Sequence, residues 1–355
     1  MIWSRRAWLI AAGALAGCSP RQAATGCASL TGKTIRWIVP FGDGGSQEIY
    51  SRLLEPFFEK SLGAEIIIVT EPGNGGVVGA TKLRDAPPDG RTVGIMNAPG
   101  LFGAAFTGVD KFLNPARDFS VLGRLGRSRP VLAVAASSRL KTMEDLLDQQ
   151  KTRPLLCGVS GIGSNSLLIT AVCEALLGLR VDYLAGLSGS RDNMLSVLRG
   201  DTDLMSANLD SVQQAVDQGD LRVLLQIADG PINDDPALKT VAWLGGPDGW
   251  AARRASELGR DADRAMSDAG ALIDFAGAGI IVTAPKQLPG ELLACLRARL
   301  HEAASSSGFY SAARAAKRTP EVATGERAQA DLSAAEQHVT RFAPIVGDAF
   351  RRARK

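Results

Sequence analysis

A chain of 355 residues, 45% hydrophobic and 22% charged, has an ordinary globular composition, which excludes the disordered, collagen-like and coiled-coil classes. Its formal charge of +3 falls to +1 if residues 1–17, with Arg5 and Arg6, are removed, and a chain that neutral carries no electrostatic footprint for nucleic acid. The length is too great for one core, so two domains are expected; the two histidines, His301 and His338, lie in polar sequence near the C-terminus and offer little to a histidine base or a multi-histidine metal site.

Residues 1–17 read as an export signal. Arg5 and Arg6 form a positive start, and residues 7–16 are an apolar run too short to span a bilayer. Leu15-Ala16-Gly17-Cys18 matches the lipobox at which lipoprotein signals are cut, so Cys18 is the expected lipidation site and a periplasmic, membrane-anchored location follows. The run Ser4-Arg5-Arg6-Ala7-Trp8-Leu9 resembles a twin-arginine motif, which leaves the general secretory and twin-arginine routes both open. Residues 18–32 read as a polar tether. Of the other cysteines, Cys157 and Cys173 fall in apolar runs, and buried free thiols are expected; Cys27 in the tether is a reactive candidate, and no spacing including Cys295 matches a metal site.

From residue 33 strands and helices alternate. Residues 34–40 predict a strand, 42–46 a glycine loop, 48–62 a helix and 64–70 a continuously apolar strand. Residues 72–76 form a glycine turn before a short helix to Arg84, 87–90 a Pro-Pro-Asp-Gly turn, and 91–97 a third strand. The pattern repeats after Arg129. Strands are predicted at 130–136, 155–159, 202–206, 221–227 and 279–283, and helices at 164–177, 191–198, 210–218, 289–304 and from 329 to the end. Residues 246–270, polar and rich in Arg, Asp and Ala, read as a surface insertion that could be helical. The alternation implies an α/β protein of two domains, each a mainly parallel sheet flanked by helices.

Three glycine-rich loops invite different chemistry. Residues 26–34 approach a phosphate loop but are one residue too long between Gly26 and Gly32, and Lys33-Thr34 opens a strand. Residues 73–79 follow a strand as a dinucleotide fingerprint does, but the second strand rather than the first. No G-x-S-x-G elbow occurs, and Ser46, Ser160 and Ser164 have no evident base, so catalytic residues, metal and cofactor are all expected to be absent. The third reading is anion binding. Gly44-Gly45-Ser46 and Ser160-Gly161-Ile162-Gly163-Ser164 each sit where a strand meets a helix, and glycine lets a ligand approach first-turn N–H groups at the positive end of the helix dipole. One such site per domain, facing across a cleft, would clamp a dicarboxylate; the alternative is plain helix capping by Ser46 and Ser164.

Residues 35–42 (IRWIVPFG) with Gly44-Gly45 and Arg52, the block Glu71-Pro72-Gly73-Asn74-Gly75-Gly76 with Gly79-Ala80, the turn Ala86-Pro87-Pro88-Asp89-Gly90 with Thr92, the serine-glycine loop 160–164, and Gly200-Asp201-Thr202-Asp203-Leu204-Met205 follow one another in order. Together they resemble the tripartite tricarboxylate transporter receptors, the Bug/TctC-type solute-binding proteins, over nearly all of residues 33–345. The resemblance implies a monomeric two-domain flytrap, a periplasmic-binding-protein-like fold. Residues 33–129 plus 237–355 would form one domain and 130–236 the other, and the chain would close on a small organic acid held through backbone N–H groups and water. It also implies delivery to two integral membrane subunits; presentation to a sensor ectodomain is the alternative, and an enzyme on an α/β frame a more remote one. Gly44, Gly45, Ser46 and Glu48 would serve the first domain, and Ser160, Gly161, Gly163 and Ser164 the second. Asn97, Asn208 and Tyr183 could add side-chain contacts or serve only as caps and core positions. The chain departs from the family pattern at Glu48 (usually Asp), Glu71 (usually Asn) and Leu167 (often His), in about two added residues within 184–190, and at 246–270. A carboxylate at Glu71 facing the cleft would repel a dianion; the alternative is that it points to solvent.

Overall fold

A computed structural model describes residues 26–106, 113–161, 164–233 and 235–353. The expected signal peptide and Cys18 lie outside the described residues. The chain first lays down β1 (Thr34–Val39), β2 (Glu65–Thr70), β3 (Thr92–Asn97) and β4 (Phe119–Gly126). It then crosses to a second sheet for β5 (Pro130–Ala135), β6 (Leu155–Gly158), β7 (Val181–Leu184), β8 (Leu204–Asn208), β9 (Leu221–Gln226) and β10 (Ala242–Trp243). Finally it returns to the first sheet for β11 (Ile280–Pro285) and β12 (Ala323–Thr324). Among the described residues each sheet has six strands, in the orders β12-β4-β11-β3-β1-β2 and β10-β9-β5-β8-β6-β7.

The pairing is mixed where the sequence predicts mainly parallel sheets. β1 runs parallel to β2 and β3, and β6 parallel to β7 and β8, but β11 is antiparallel to β3 and β4, and β5 to β8 and β9. The reason is the crossing itself. β5 starts at the boundary between the halves, with only residues 127–129 between it and β4, so it must run away from the cleft that β6 and β8 run towards. β11 re-enters the first sheet from the same side and is reversed likewise.

Among the described residues, seven helices follow these strands in the first two passes: α1 (Ser46–Leu62), α2 (Val77–Arg84), α3 (Ala98–Phe106), α4 (Met143–Thr152), α5 (Asn165–Leu177), α6 (Ser190–Arg199) and α7 (Leu209–Asp217). α1 buries Tyr50, Leu54, Phe58 and Leu62, one per turn, and sets Phe58 edge-on against Trp37 with ring centroids 5.8 Å apart. It stops at Gly63, whose φ of 66° is the left-handed closure glycine adopts freely.

Two sequence expectations are corrected in the later part of the chain. The stretch read as a surface insertion folds as α8 (Trp250–Glu257) and α9 (Ala262–Ala276), which bury Trp250, Ala251, Ala255, Ala269, Leu272 and Phe275 against α5. Alanine makes these faces read as weakly apolar, yet it is what lets helices approach closely. α10 (Gly290–Ala304), α11 (Ser307–Ala315), α12 (Gly325–Gln337) and α13 (Val339–Arg352) complete the chain. α13 packs on both α5 and α3, so it fastens the two halves together, with Arg352 paired to Glu174 at 2.7 Å.

The second correction concerns Cys27 and Cys295, which form a disulfide with Cα atoms 5.5 Å apart. Residues from 26 onward are therefore docked rather than tethering: Leu30 is fully buried, and a Cβ on Gly26 would lie 2.4 Å from the Glu291 carbonyl oxygen. Cys157 and Cys173 are buried free thiols, as the sequence predicts, and burial pushes Cys157 up to about 11, far from reactive thiolate chemistry. Because the disulfide closes a very long loop, Cys295→Ser is expected to lower the unfolding free energy by about 2–4 kcal/mol. Denaturant melts of the wild type with and without reductant measure the same loss; an unchanged midpoint in both would contradict a stabilising role.

Candidate ligand-binding site

Between the two sheets lies a small cavity of about 60 Å³, lined by Phe41, Ser46, Gln47, Asn97 and Ile280 from the first-sheet half. Ser160, Ser164, Asn165, Ser166, Ser190, Asn193, Ser206, Ala207, Asn208 and Ser211 line it from the second-sheet half. None of these lining side chains is charged. The volume is room for about four water molecules.

Five helices begin at this lining. α1 starts at Ser46, α3 directly after Asn97, α5 after Ser164, α6 at Ser190 and α7 after Asn208. The alternation of strand, loop and helix puts every one of these starts at the C-terminal edge of a sheet, where open α/β folds bind ligands. Each helix leaves first-turn N–H groups without intrahelical partners and carries about half a positive charge there. Two of the five are satisfied from within: Ser164 Oγ accepts from the Leu167 N–H at 3.3 Å, and Asn97 Oδ1 from the Gly100 N–H at 3.3 Å. Three have no side-chain cap, α1 behind Gly45, α6 behind Gly189 and α7 behind Asn208. The first belongs to one half and the other two to the opposite half. The cavity also holds buried polar atoms without a partner, Ser46 Oγ, Asn165 Oδ1 and Asn193 Oδ1. Such groups cost about 1–3 kcal/mol each when left unmet, so they mark a place prepared for something polar.

Of the residues expected from sequence, the structure brings Ser46, Asn97, Ser160, Ser164 and Asn208 to the cavity wall. Gly45 stands directly behind Ser46 as the N-cap. Gly163 lies outside the described residues. Gly161 lines a neighbouring groove, where a Cβ would stand 3.0 Å from the backbone of Asn74 and Gly75. Gly44 faces away from the cavity, with Arg191 laid across it. Glu48 does not reach the lining; it accepts from Arg52 Nε at 2.9 Å and from the Gly44 N–H at 3.4 Å, closing the first turn of its own helix. Tyr183 does not reach it either: its hydroxyl donates to Glu174 at 2.6 Å beneath Arg352, and burial holds its pKa well above the ordinary range. Ser164 caps its own helix, so the open N–H groups of the second half belong instead to α6 and α7. The departures at Glu71 and Leu167 leave the cavity untouched, since Glu71 is held by Arg36 and Lys82, each at 2.5 Å, and Leu167 is fully buried in the core.

Sequence reasoning missed Gln47, Asn165, Ser166, Ser190, Asn193, Ser206 and Ser211. Gly189-Ser190 repeats the Gly45-Ser46 pattern at a helix start and could have been found by that signal; the others are ordinary polar positions made special only by the fold.

The cavity is closed by contacts between the halves. The Gly42 N–H donates to the Ser188 carbonyl at 3.0 Å. Tyr50, in the first sheet's long helix, donates its hydroxyl to Asp210 Oδ2 at 3.0 Å. Asp210 is 2% exposed and also accepts from Arg129 Nη2 and the Thr319 N–H, both at 2.9 Å. Burial first, then the Asp210 charge, raises the Tyr50 pKa, so the hydroxyl stays a donor.

Residues 51–251 match the family described as the tripartite tricarboxylate transporter family receptor. The chain belongs to that family. It is 24% identical over 322 residues to protein BugT of Bordetella pertussis, covering 88% of each chain. It is 27% identical over 192 residues to a protein from the tcbD-tcbE intergenic region of Pseudomonas sp. strain P51, a match that spans 52% of this chain and 55% of that protein. Among solved structures it is similar to the periplasmic binding protein BugD, with a TM-score of 0.70, 19% identity and coverage of 89% of this chain and 97% of that one. MatC from Rhodopseudomonas palustris with bound malate gives 0.70, 21% identity and coverage of 88% and 99%. Rpa4515 of R. palustris with adipate gives 0.67, 20% identity and coverage of 89% and 97%. The fold is thus that of a two-domain periplasmic binding protein, and the family is one of solute-binding receptors. No helix among the described residues is long and apolar enough to cross a membrane.

The Tyr50–Asp210 bond is expected to matter to stability. Tyr50→Phe, which keeps the ring and removes one donor to a buried carboxylate, should lower the unfolding free energy by about 1–3 kcal/mol. Urea denaturation reads this directly, and a variant as stable as the wild type would show that the bond contributes nothing.

Proposed function

We propose that the protein is an extracytoplasmic receptor that captures a small organic anion between its two halves and delivers it to the two membrane subunits of a tripartite tricarboxylate-type transporter. One observation carries the reading: three uncapped helix starts from both halves converge on a polar cavity whose lining has no charged side chain. Fixed dipoles of one sign favour an anion, and charge-assisted hydrogen bonds to backbone N–H groups contribute about 1.5–3 kcal/mol each. The family membership supports the transport role, and the neighbours solved with malate and adipate support a carboxylate.

The closed cavity is small, so a ligand enters when the halves part. It is held when Gly42–Ser188 and Tyr50–Asp210 re-form around it. The chain leaves the first sheet near Arg129 and, because β10 still pairs with β9, rejoins it only at β11, later than the expected residue 237; these two halves, hinged near Arg129, are the frame for that motion. The lipobox supports lipidation of Cys18 and a membrane-anchored receptor in the periplasm. Membership of a family of solute-binding receptors supports binding without turnover.

Thermal shift against mono-, di- and tricarboxylates tests the reading. A ligand at 100 times its Kd should add about 2.7 kcal/mol of stability. The key variant is Ser46→Pro. Gly45 already has φ −78° and ψ 166°, a conformation compatible with a following proline, so the helix should start normally while one N–H donor and the hydroxyl are lost. Affinity is expected to fall at least about tenfold with little change in the unliganded midpoint. If no carboxylate shifts the wild type, the reading fails.

A further inference from the structure

On the other side of the same helix starts lies a second pocket between the halves, of about 450 Å³, well within the range of small-molecule sites. It shares only Ser211 with the polar cavity. Its character is different. Ile49 contributes from the first-sheet half, and Met194 and Leu198 from the other, giving it apolar walls. Leu198 is 36% exposed, so its apolar surface is open to an occupant of the pocket.

Two guanidinium groups face this space from opposite halves, Arg318 and Arg191. Arg318 is only 8% exposed, and its Nε is buried without a hydrogen-bond partner. Neither arginine forms an ion pair with any described residue. The nearby Asp210 is already engaged by Arg129, Tyr50 and Thr319, and Asp220 is the only acid on the pocket wall. Arg191 lies across Gly44, where a Cβ would stand 3.0 Å from its Cδ, so the left-handed glycine (φ 75°) leaves room for the arginine on the pocket wall. The Asp210 charge acts on Arg318 as well but is shared with Arg129, so one carboxylate faces two guanidinium groups, and the planar fork of an arginine matches a further carboxylate bidentately.

We propose that this pocket is a second binding site, for a monocarboxylate with a hydrocarbon body, its head held by Arg318 and Arg191 and its chain against Ile49, Met194 and Leu198. The pocket goes beyond the proposed receptor site, because the polar cavity has no apolar pocket of this size and no arginine. Since its walls come from both halves, an occupant here would also favour closure.

Calorimetry on the full protein with octanoate, malate and inorganic phosphate tests this. Octanoate is expected to bind saturably, to bind also when malate is present at saturation, and to bind more tightly than phosphate. Arg318→Gln and Arg191→Gln should each weaken octanoate at least about tenfold, the scale of one lost charge-assisted pair. Arg318→Gln should leave malate binding unchanged, and Ser46→Pro should leave octanoate binding unchanged. Arg191 is exposed, so its variant remains a valid test if Arg318→Gln fails to fold. The proposal is overturned if octanoate does not bind, if it competes with malate for one site, if phosphate binds as tightly, or if neither arginine variant weakens it. Absence of malate binding alone would count against the receptor reading and leave the octanoate result to decide this one.

Discussion

The structure depends on one electrostatic arrangement, the convergence of helix N-termini on a cavity without charged side chains. Everything about the topology serves it. Strands on both sides run towards the cleft and release helices there, so partial positive charge accumulates from backbone alone. Backbone dipoles are fixed by the helices that carry them and lose no side-chain entropy on binding. A cavity walled by serine and asparagine can also supply or accept hydrogen bonds without bringing in a cation that would need a partner when the ligand leaves. Glycine at the N-caps of α1 and α6 matters for the same reason, since a serine or aspartate there would satisfy the N–H groups from within, as Ser164 does for α5.

The same elements couple the site to closure. α7 begins at the cavity wall beside Asn208, and one residue further on Asp210 accepts the Tyr50 hydroxyl across the boundary. Asn208 Oδ1 accepts from the Arg129 N–H at 2.7 Å, on the link where the chain crosses from one sheet to the other. A shift of α7 relative to α1 therefore changes the cavity, the Tyr50–Asp210 bond and the crossing segment together. α13, packed on α3 and α5, limits how far the halves part without bending or releasing.

Much of this was legible in the sequence. The strand patterns of 34–40, 64–70 and 91–97 are apolar and β-branched, and the loop Gly44-Gly45-Ser46 marks a helix start in any context. Other features were not legible, for physical reasons. β4 mixes glycine, serine and arginine because Arg124 is buried against Asp331, so a central strand does not read as apolar. The helices at 250–276 bury alanine faces whose apolar signal is weak. The Cys27–Cys295 bond joins residues 268 apart, a distance no spacing rule reaches. Tyr183 sits on β7 with its side chain turned to α5, and a strand's two faces differ by a single residue of register. Ser190 was missed because a Gly-Ser pair at a helix start is an ordinary polar turn until the fold brings it to the cavity wall.

The central claim is that the anion is held by backbone N–H groups at helix starts. Amide nitrogen and proton shifts on titration of a carboxylate test it most directly. The account predicts that the largest downfield changes fall on Ser46, Gln47, Ser190 and Ser211, from both halves at once and with one common affinity. A carboxylate that binds while these amides stay still would contradict it.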